Sequence, residues 1–401
     1  MQGESPLNMM RPRQQRAGRP APAPAPRRRL GPIVAAIGVV IALAAGWSWL
    51  WYHAAAVADR TLSGWVEREA AAGRVYSCGY QGIGGFPLRI EVTCVTAGAA
   101  INSNQPPFAV SAKDITFTAA IYHPTLLVAE VTGPLTISLP GQSPIFIANW
   151  SRAQMSVGGL PPQPDSVAVS FDQPRLDHTA SADETVFTAD HAEVVSRIVD
   201  GSPGDNPVID TQVEFKAATA PTLHPLLAAP LQGDIDVELR GFKDLAPKPW
   251  AARFREMQAA GGAIEIKHLR IERTDAIVVG AGTLTINADG KLDGLIRVAI
   301  AGVETIVPQL GVDQLIGRGI DRLTGAPNQT PDQGLGTLDR LLPGLSGVVR
   351  QSANASLIDS LNKMGEPTEI DKKPAIVLPL RISDGAVYLG LIPLGEVPPL
   401  F

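Results

Sequence analysis

Six histidines, two cysteines and a few closely spaced carboxylates are the residues of this chain that could do chemistry. The histidines are His53, His123, His178, His191, His224 and His268. No pair has the H-E-x-x-H spacing of a zinc protease. Asp177-His178 and Asp190-His191 pair acid with imidazole, but neighbours on a strand point to opposite faces, so these histidines read as satisfied or solvent-facing. No Gly-x-Ser-x-Gly nucleophile elbow occurs. Gly280-Ala281-Gly282 leads into a strand-like segment and offers phosphate no helix N-terminus. Asn287-Ala288-Asp289-Gly290 lacks the further acidic ligands of a calcium loop and reads as a turn. Asp234 and Asp236 would share one face of a strand, where paired carboxylates can do acid–base work. With Glu238 beside them they read as a solvated face. We therefore expect no catalysis, no metal and no cofactor.

The cysteines point to a compartment. Cys78 and Cys94 are close in sequence and both follow a long apolar run. In an oxidising compartment one disulfide is the natural expectation, worth about 3 kcal/mol for so short a loop in the chain-entropy model. Two free thiols are the alternative. No C-x-x-C redox motif is present.

The apolar run, residues 30–52, carries no charge and supplies the ~20 residues that a helix needs to cross a bilayer. Before it, Arg11, Arg13, Arg16, Arg19, Arg27, Arg28 and Arg29 face one acid, Glu4. Short cytoplasmic flanks collect Lys and Arg, so the N-terminus is expected in the cytoplasm and the bulk outside the membrane. Trp47, Trp49, Trp51 and Tyr52 close the run, as rings at the headgroup level do. A cleaved signal peptide, with Ala54-Ala55-Ala56 as the cleavage signal, is the rival reading; its apolar core would be shorter. Gly31, Ala35, Gly38, Ala42 and Gly46 recur near four-residue spacing, a pattern that also permits helix dimerisation.

Charge excludes one class of partner. The chain has 34 Lys plus Arg and 39 Asp plus Glu. Without the seven arginines and one glutamate of the tail, 27 basic residues face 38 acidic ones. A domain so acidic has no reason to bind nucleic acid. The alternating Pro-Ala stretch from Pro20 to Pro26 cannot build a core.

Strand signals dominate the rest. Leu88 to Cys94, Ile115 to Thr118, Val167 to Phe171, Val213 to Phe215, Ile235 to Leu239 and Ile264 to Lys267 alternate apolar and polar residues. Gly282 to Ile300 reads as a hairpin turning at Gly290, and Ile376 to Ile392 as another turning at Gly385. Helices are expected at Ala54–Ala72, Ala220–Leu231, Pro249–Ala260, Val303–Leu323 and Leu338–Met364, the fourth with an apolar stripe at Leu310, Leu315 and Ile320. Gly201–Pro207 and Gly325–Gly336 read as exposed loops that could bound subdomains. Pro-Leu-Arg-Ile occurs twice, from Pro87 and from Pro379, as two matched strand starts or by chance. The fold class is α+β, mainly antiparallel β. A disordered tail (1–29), a transmembrane helix (30–52) and a stalk helix (53–72) lead to a β-rich domain (73–401), with a large curved or groove-forming sheet and few helices.

One stretch carries a resemblance. Gly73, Arg74, Tyr76 and Cys78 are followed by Gly85, Phe86, Pro87, Leu88, Arg89 and then Cys94. This resembles the opening of the family called domain of unknown function 2125, found in Gram-negative cell envelopes. The similarity covers most of residues 45–401, and the family has no assigned activity. By itself, Gly84-Gly85 suits a turn and Pro87 a strand start, with Arg89 between buried Leu88 and Ile90. The layout of anchor and alternating strands is also similar in pattern to AsmA-like envelope proteins, which implies a sheet curled around an apolar groove and a part in lipid transfer or envelope assembly. Three functions follow as expectations: a non-catalytic protein that binds or transfers an apolar component such as lipid, an assembly scaffold that binds a protein partner, and an exported hydrolase, the last lacking any motif.

Overall fold

The computed structural model describes residues 30–102, 106–160, 163–179, 184–246, 248–307, 355–356, 358–390 and 392–401. The arginine tail, Leu310, Leu315 and Ile320, the loop Gly325–Gly336 and the first part of Leu338–Met364 lie outside them. The chain divides into two units, Met1–His53 and Ala54–Phe401. The first contributes an uncharged helical segment with Ile33, Val40 and Leu43 exposed. It belongs to helix α1 (Leu30–Ala71), which is long and apolar enough to span a membrane. That is consistent with a single-pass anchor.

The second unit begins with the rest of α1 and is otherwise mostly strand. The first nine strands are β1 (Arg74–Gly84), β2 (Arg89–Ile101), β3 (Phe108–Ala120), β4 (His123–Ser138), β5 (Pro144–Asn149), β6 (Arg152–Gly158), β7 (Ser166–Asp172), β8 (Arg175–His178) and β9 (Glu184–Thr188). Then come β10 (His191–Ser202), β11 (Asp205–Ala218), β12 (Leu231–Leu239), helix α2 (Trp250–Ala259), β13 (Ala263–Arg273), β14 (Ala276–Ile286), β15 (Leu292–Ala301) and α3 (Val303–Ile306). The last are β16 (Glu366–Ile370), β17 (Lys373–Ser383), β18 (Ala386–Leu389) and β19 (Ile392–Glu396).

All pairings are antiparallel and form one open sheet. The main path runs β1, β2, β3, β4, β6, β7, β10, β11, β12, β13, β14, β15, β17. A branch of β5, β8 and β9 leaves the far half of β4, and β16, β18 and β19 complete the other end.

Register turns local alternation into a continuous surface. Residues directly opposed in an antiparallel sheet share a face. One cross-sheet row reads Ile83, Val92, Phe117, Ala129, Met155, Val169, Val194, Val213, Ile235, Leu269, Gly280, Val298, Leu378, with no polar residue across thirteen strands. The row one residue over reads Thr93, Thr116, Glu130, Gln154, Ser170, Glu193, Glu214, Asp234, Arg270. An apolar and a polar face thus extend over most of the sheet. Helices seal the apolar face at its C-terminal end. Leu361, from the helical residues 358–364, and Val307, just after α3, are 1% and 0% exposed against Leu284, Ile296, Val298, Leu378 and Leu389. Met257 of α2 packs with Phe242 and Ile286 on the same face, beside Leu239 and Ile264.

Both predicted hairpins form, with Gly290 at φ +75° and Gly385 at φ +80°. Asn287 accepts from the amides of Asp289 and Lys291, each at 3.0 Å, and its side chain donates to Asp384 at 3.1 Å. The calcium-like stretch is therefore a turn that ties one hairpin to the other. Four expectations need correction. Ala220–Leu231 holds only a 3-10 turn at Pro225–Leu227, because its prolines lack the amides that a longer helix needs. Gly201–Pro207 is no subdomain boundary: it is the end of β10, a two-residue turn at Pro203 and Gly204, and the start of β11, with Gly201 at φ +74°. Pro87 lies in the turn before β2 rather than at a strand start, and Leu88 is 59% exposed. Pro379 sits inside β17 opposite Arg297, so the two Pro-Leu-Arg-Ile segments are not equivalent.

Candidate functional site

The expected stalk helix does not stand free within its unit. Residues 62–66 of α1 lie over β1–β4, and the motif residues make the joint. Gly73, at φ +82°, ends the helix in a conformation that favours glycine. Arg74 then pairs with Glu69 in the last helical turn, Nη2 to Oε1 at 3.0 Å. The hydrogen bond from Arg74 holds the Glu69 carboxyl below its ordinary range against the opposing effect of burial. Tyr76 packs against Trp65 with the rings tilted by 34° and their centroids 4.8 Å apart. Lower down, Gln81 donates to Asp59 at 3.0 Å.

Between this helix and the sheet lies a cleft of about 390 Å³, within the size range of small-molecule sites. Its helix wall is Leu62, Trp65 and Val66; its floor is the row Cys78, Ala97, Ala112, Leu135, with Val92, Val110, Ile115 and Phe117 beside it. The small residues make the space: Ala97 and Ala112 lie directly opposed, where larger side chains would reach the helix. Cys78 and Cys94 stand at disulfide distance, Cα atoms 5.6 Å apart, and are joined. The bond spans β1 and β2 where Gly79 and Thr96 interrupt the regular pairing. Ser77, Gln81 and the Tyr76 hydroxyl bring the polar atoms. Among the described residues no carboxylate, lysine, arginine or histidine lines the cleft. Burial, then the charge of Glu69, pushes the Tyr76 phenol up from its ordinary value. Such a lining can hold an apolar chain and has no group to move a proton near neutral pH.

The remaining motif residues lie away from this joint. Gly85 has φ +94°, and a Cβ there would meet the Arg89 carbonyl at 2.7 Å. Gly85, Phe86 and Pro87 lie in the turn between β1 and β2, and Arg89 opens β2. Arg89 pairs with Glu91 at 3.0 Å.

A second constellation, missed in the sequence, lies on the polar face. Asp210 and Glu238, directly opposed on β11 and β12, are each 5% exposed. Arg197 on β10 donates to Asp210 at 2.9 Å, and Arg240 pairs with Glu238. Lys267 sits in a bulge between β12 and β13 that aims it at both acids, 2.6 Å from Glu238 and 3.5 Å from Asp210. The long basic stems cover the carboxylates while their charged ends reach water. The predicted solvated face is thus partly buried. Asp236 lies two residues before Glu238 on the same face, its carboxyl against that of Asp210. Asp210 Oδ1 and Asp236 Oδ1 are both buried with no hydrogen-bond partner. Burial, then the hydrogen bond and charge of Asp210, push Asp236 up from its ordinary value. For Asp210, burial acts upward as the largest single effect; Arg197, Asp236 and Lys267 together outweigh it and bring the group down. The sequence signal was the Asp-x-Asp-x-Glu alternation, but Asp210 and Lys267 come from neighbouring strands and only register unites them.

The predicted acid–imidazole neighbours do not act as pairs. His191 Nδ1 lies 2.8 Å from Asp172 across the β7–β10 pair, and His178 packs its ring on Phe146. Among the described residues no His, Cys, Asp and Glu group has the arrangement of a metal site.

Residues 51–398 match the family described as "Uncharacterized protein conserved in bacteria (DUF2125)". No curated protein and no solved structure matches the chain.

Proposed function

This chain belongs to the DUF2125 family of bacterial proteins, and from that premise we propose that it is a non-catalytic, membrane-anchored protein of the cell envelope that holds an apolar molecule such as a lipid acyl chain. The N-terminus lies in the cytoplasm, α1 crosses the inner membrane, and the sheet occupies the periplasm. The arginine-rich flank supports that orientation, and the joined cysteines suit an oxidising compartment.

The observation that carries the reading is the cleft under α1 together with the face that continues it. Among the described residues seventeen line the cleft, and none of these carries a formal charge at neutral pH. From Val92 and Phe117 the apolar row runs on strand after strand. Met155 and Val194 on that row are 38% and 39% exposed, an unusual place for apolar side chains in mid-sheet unless something covers them.

The test is to extract the full chain in a mild detergent and weigh co-purifying lipid by mass spectrometry. We expect about one acyl lipid per chain, and at least a several-fold loss in Val66→Trp, which fills the cleft from the half-buried helix side. Protein that retains its disulfide yet carries no lipid would overturn the proposal. The scaffold reading has one observation in its favour. Among the described residues β1 pairs on one side only, with β2, and such an edge can accept a strand from a partner.

A further inference from the structure

The turn between β1 and β2 is the part of the motif that the cleft does not use. We propose that this turn, with the adjacent turn between β3 and β4, is a second membrane contact that dips into the outer headgroup layer beside the anchor. The proposal rests on the anchored reading above.

Three observations converge. The first is exposure of large side chains at adjacent turns. Phe86 and Leu88 are 51% and 59% exposed, and Tyr122 is 82% exposed. The amide of Ile121 donates to the Leu88 carbonyl at 3.0 Å, so the two turns move as one ledge. The second is charge. No Asp, Glu, Lys or Arg occurs between Arg74 and Arg89, or between Asp114 and Glu130. Both hairpin ends can therefore enter a headgroup layer without burying a charge, while Arg89 at the rim stays paired with Glu91.

The third observation is direction. Contacts along β1 descend the helix: Arg74 meets Glu69, Tyr76 meets Trp65, and Gln81 meets Asp59. Ten helical residues advance about 15 Å while seven strand residues cover about 23 Å, so each strand residue descends about 2 Å along the helix. β1 ends at Gly84, three residues past Gln81 and about 6 Å below Asp59, and the turn runs on from there; Ala54, where the second unit begins, lies about 8 Å below Asp59. The ledge is thus at the end of the second unit from which the uncharged run leaves. A bilayer crossed by that run has a headgroup layer of about 5–8 Å there, the depth at which aromatic rings are favoured.

The occupant is a lipid surface rather than a protein groove because the exposed groups are two convex turns. Convex tips enter a fluid layer without needing a shaped partner.

The experiment uses the full chain in native membranes, with a photo-crosslinking phenylalanine analogue at one position at a time. Positions 88 and 122 probe the ledge. Position 40 lies in the span. Position 223 is the control: Leu223 is 69% exposed and lies between β11 and β12, at the opposite end of the strands. Retention of the disulfide reports folding. We expect lipid adducts at 88 and 122 within about threefold of those at 40 and about tenfold above those at 223. Adducts at 88 and 122 no higher than at 223, while 40 labels well, overturn the ledge and leave the anchor intact. Failure at 40 as well removes the anchor, and the ledge with it. Protein adducts in place of lipid at 88 and 122 also overturn it. Labelling of the ledge is expected to vanish in detergent, whereas lipid held in the cleft survives extraction, so the two readings fail separately.

Discussion

The two ends of one apolar row are built from the same residue types and end up in different states. At the C-terminal end Val298 and Leu378 are 4% and 0% exposed under Val307 and Leu361. At the N-terminal edge Ile83, and in mid-sheet Met155 and Val194, are between 37% and 39% exposed. Among the described residues of β1–β9, every buried apolar residue is an alanine: Ala97, Ala112, Ala129 and Ala153. Alanine has one methyl to bury, so this half gains little from burial and stays accessible. Burial is concentrated where helices close the face, and the proposed binding cleft lies where a single helix stands over a floor of small residues. Regions of low local stability are where ligand-binding elements are commonly found.

The sharpest way to break this comparison is to remove one side chain from each end. Leu378→Ala is expected to cost about 2–5 kcal/mol, as cavity-forming changes in sealed cores do. Val194→Ala removes less and from a surface that is already wet, so it should cost below about 1 kcal/mol. Urea unfolding of the two variants measures both. Equal losses would mean that the N-terminal half has a covered core after all.

Next in size is the disulfide. Cys78→Ser with Cys94→Ser should cost about 3 kcal/mol in the chain-entropy model. Amide exchange should show the loss mostly in β1–β3, with β13–β17 little changed. Uniform loosening would join the halves into one cooperative unit and remove the distinction.

How far this division was legible from sequence depends on what each part needs. The strands were, because Ile235-Asp236-Val237-Glu238-Leu239 shows its period of two in five residues. So were the hairpin turns, because Gly290 and Gly385 mark positive φ locally. The cleft was not: Ala97 and Ala112 look like any strand alanines until register opposes them and Trp65 and Val66 come to lie above. The burial of Leu88 was misjudged because alternation assigns a face but does not tell where a strand begins; Gly85 moved the start of β2 to Arg89. The carboxylate ladder hid for a similar reason, since its cations come from β10 and from a bulge in β13.

That ladder supplies the next prediction. Asp210→Asn removes the charge that answers Arg197 and leaves Lys267 with Glu238 alone, an expected loss of about 1–3 kcal/mol. The sign with pH follows from direction. Asp210 is held below its ordinary value in the fold, so its contribution is present above the unfolded pKa of about 3.9 and fades as pH falls through the lower folded value. Thermal unfolding of wild type and variant should differ most at neutral pH and converge in acid.

Asp236 should do the reverse, with the smallest effect. Its pKa is raised in the fold, so the stability linked to its proton is present below the unfolded value of about 3.9 and is lost as pH rises through the higher folded value. At neutral pH the pair must either keep that proton against solution or bear two adjacent negative charges. An amide at this position donates the same hydrogen bond to Asp210 without a proton to lose. Asp236→Asn is therefore expected to be neutral or stabilising by less than about 1 kcal/mol at pH 7, with no gain at pH 3. A thermal-unfolding series across pH checks this, and a loss at pH 7 comparable to that of Asp210→Asn would show that Asp236 works as a full anion paired with Lys267. Two aspartates of one ladder would then be equivalent, and the polar face would be an ordinary ion-pair network with no proton stored in it.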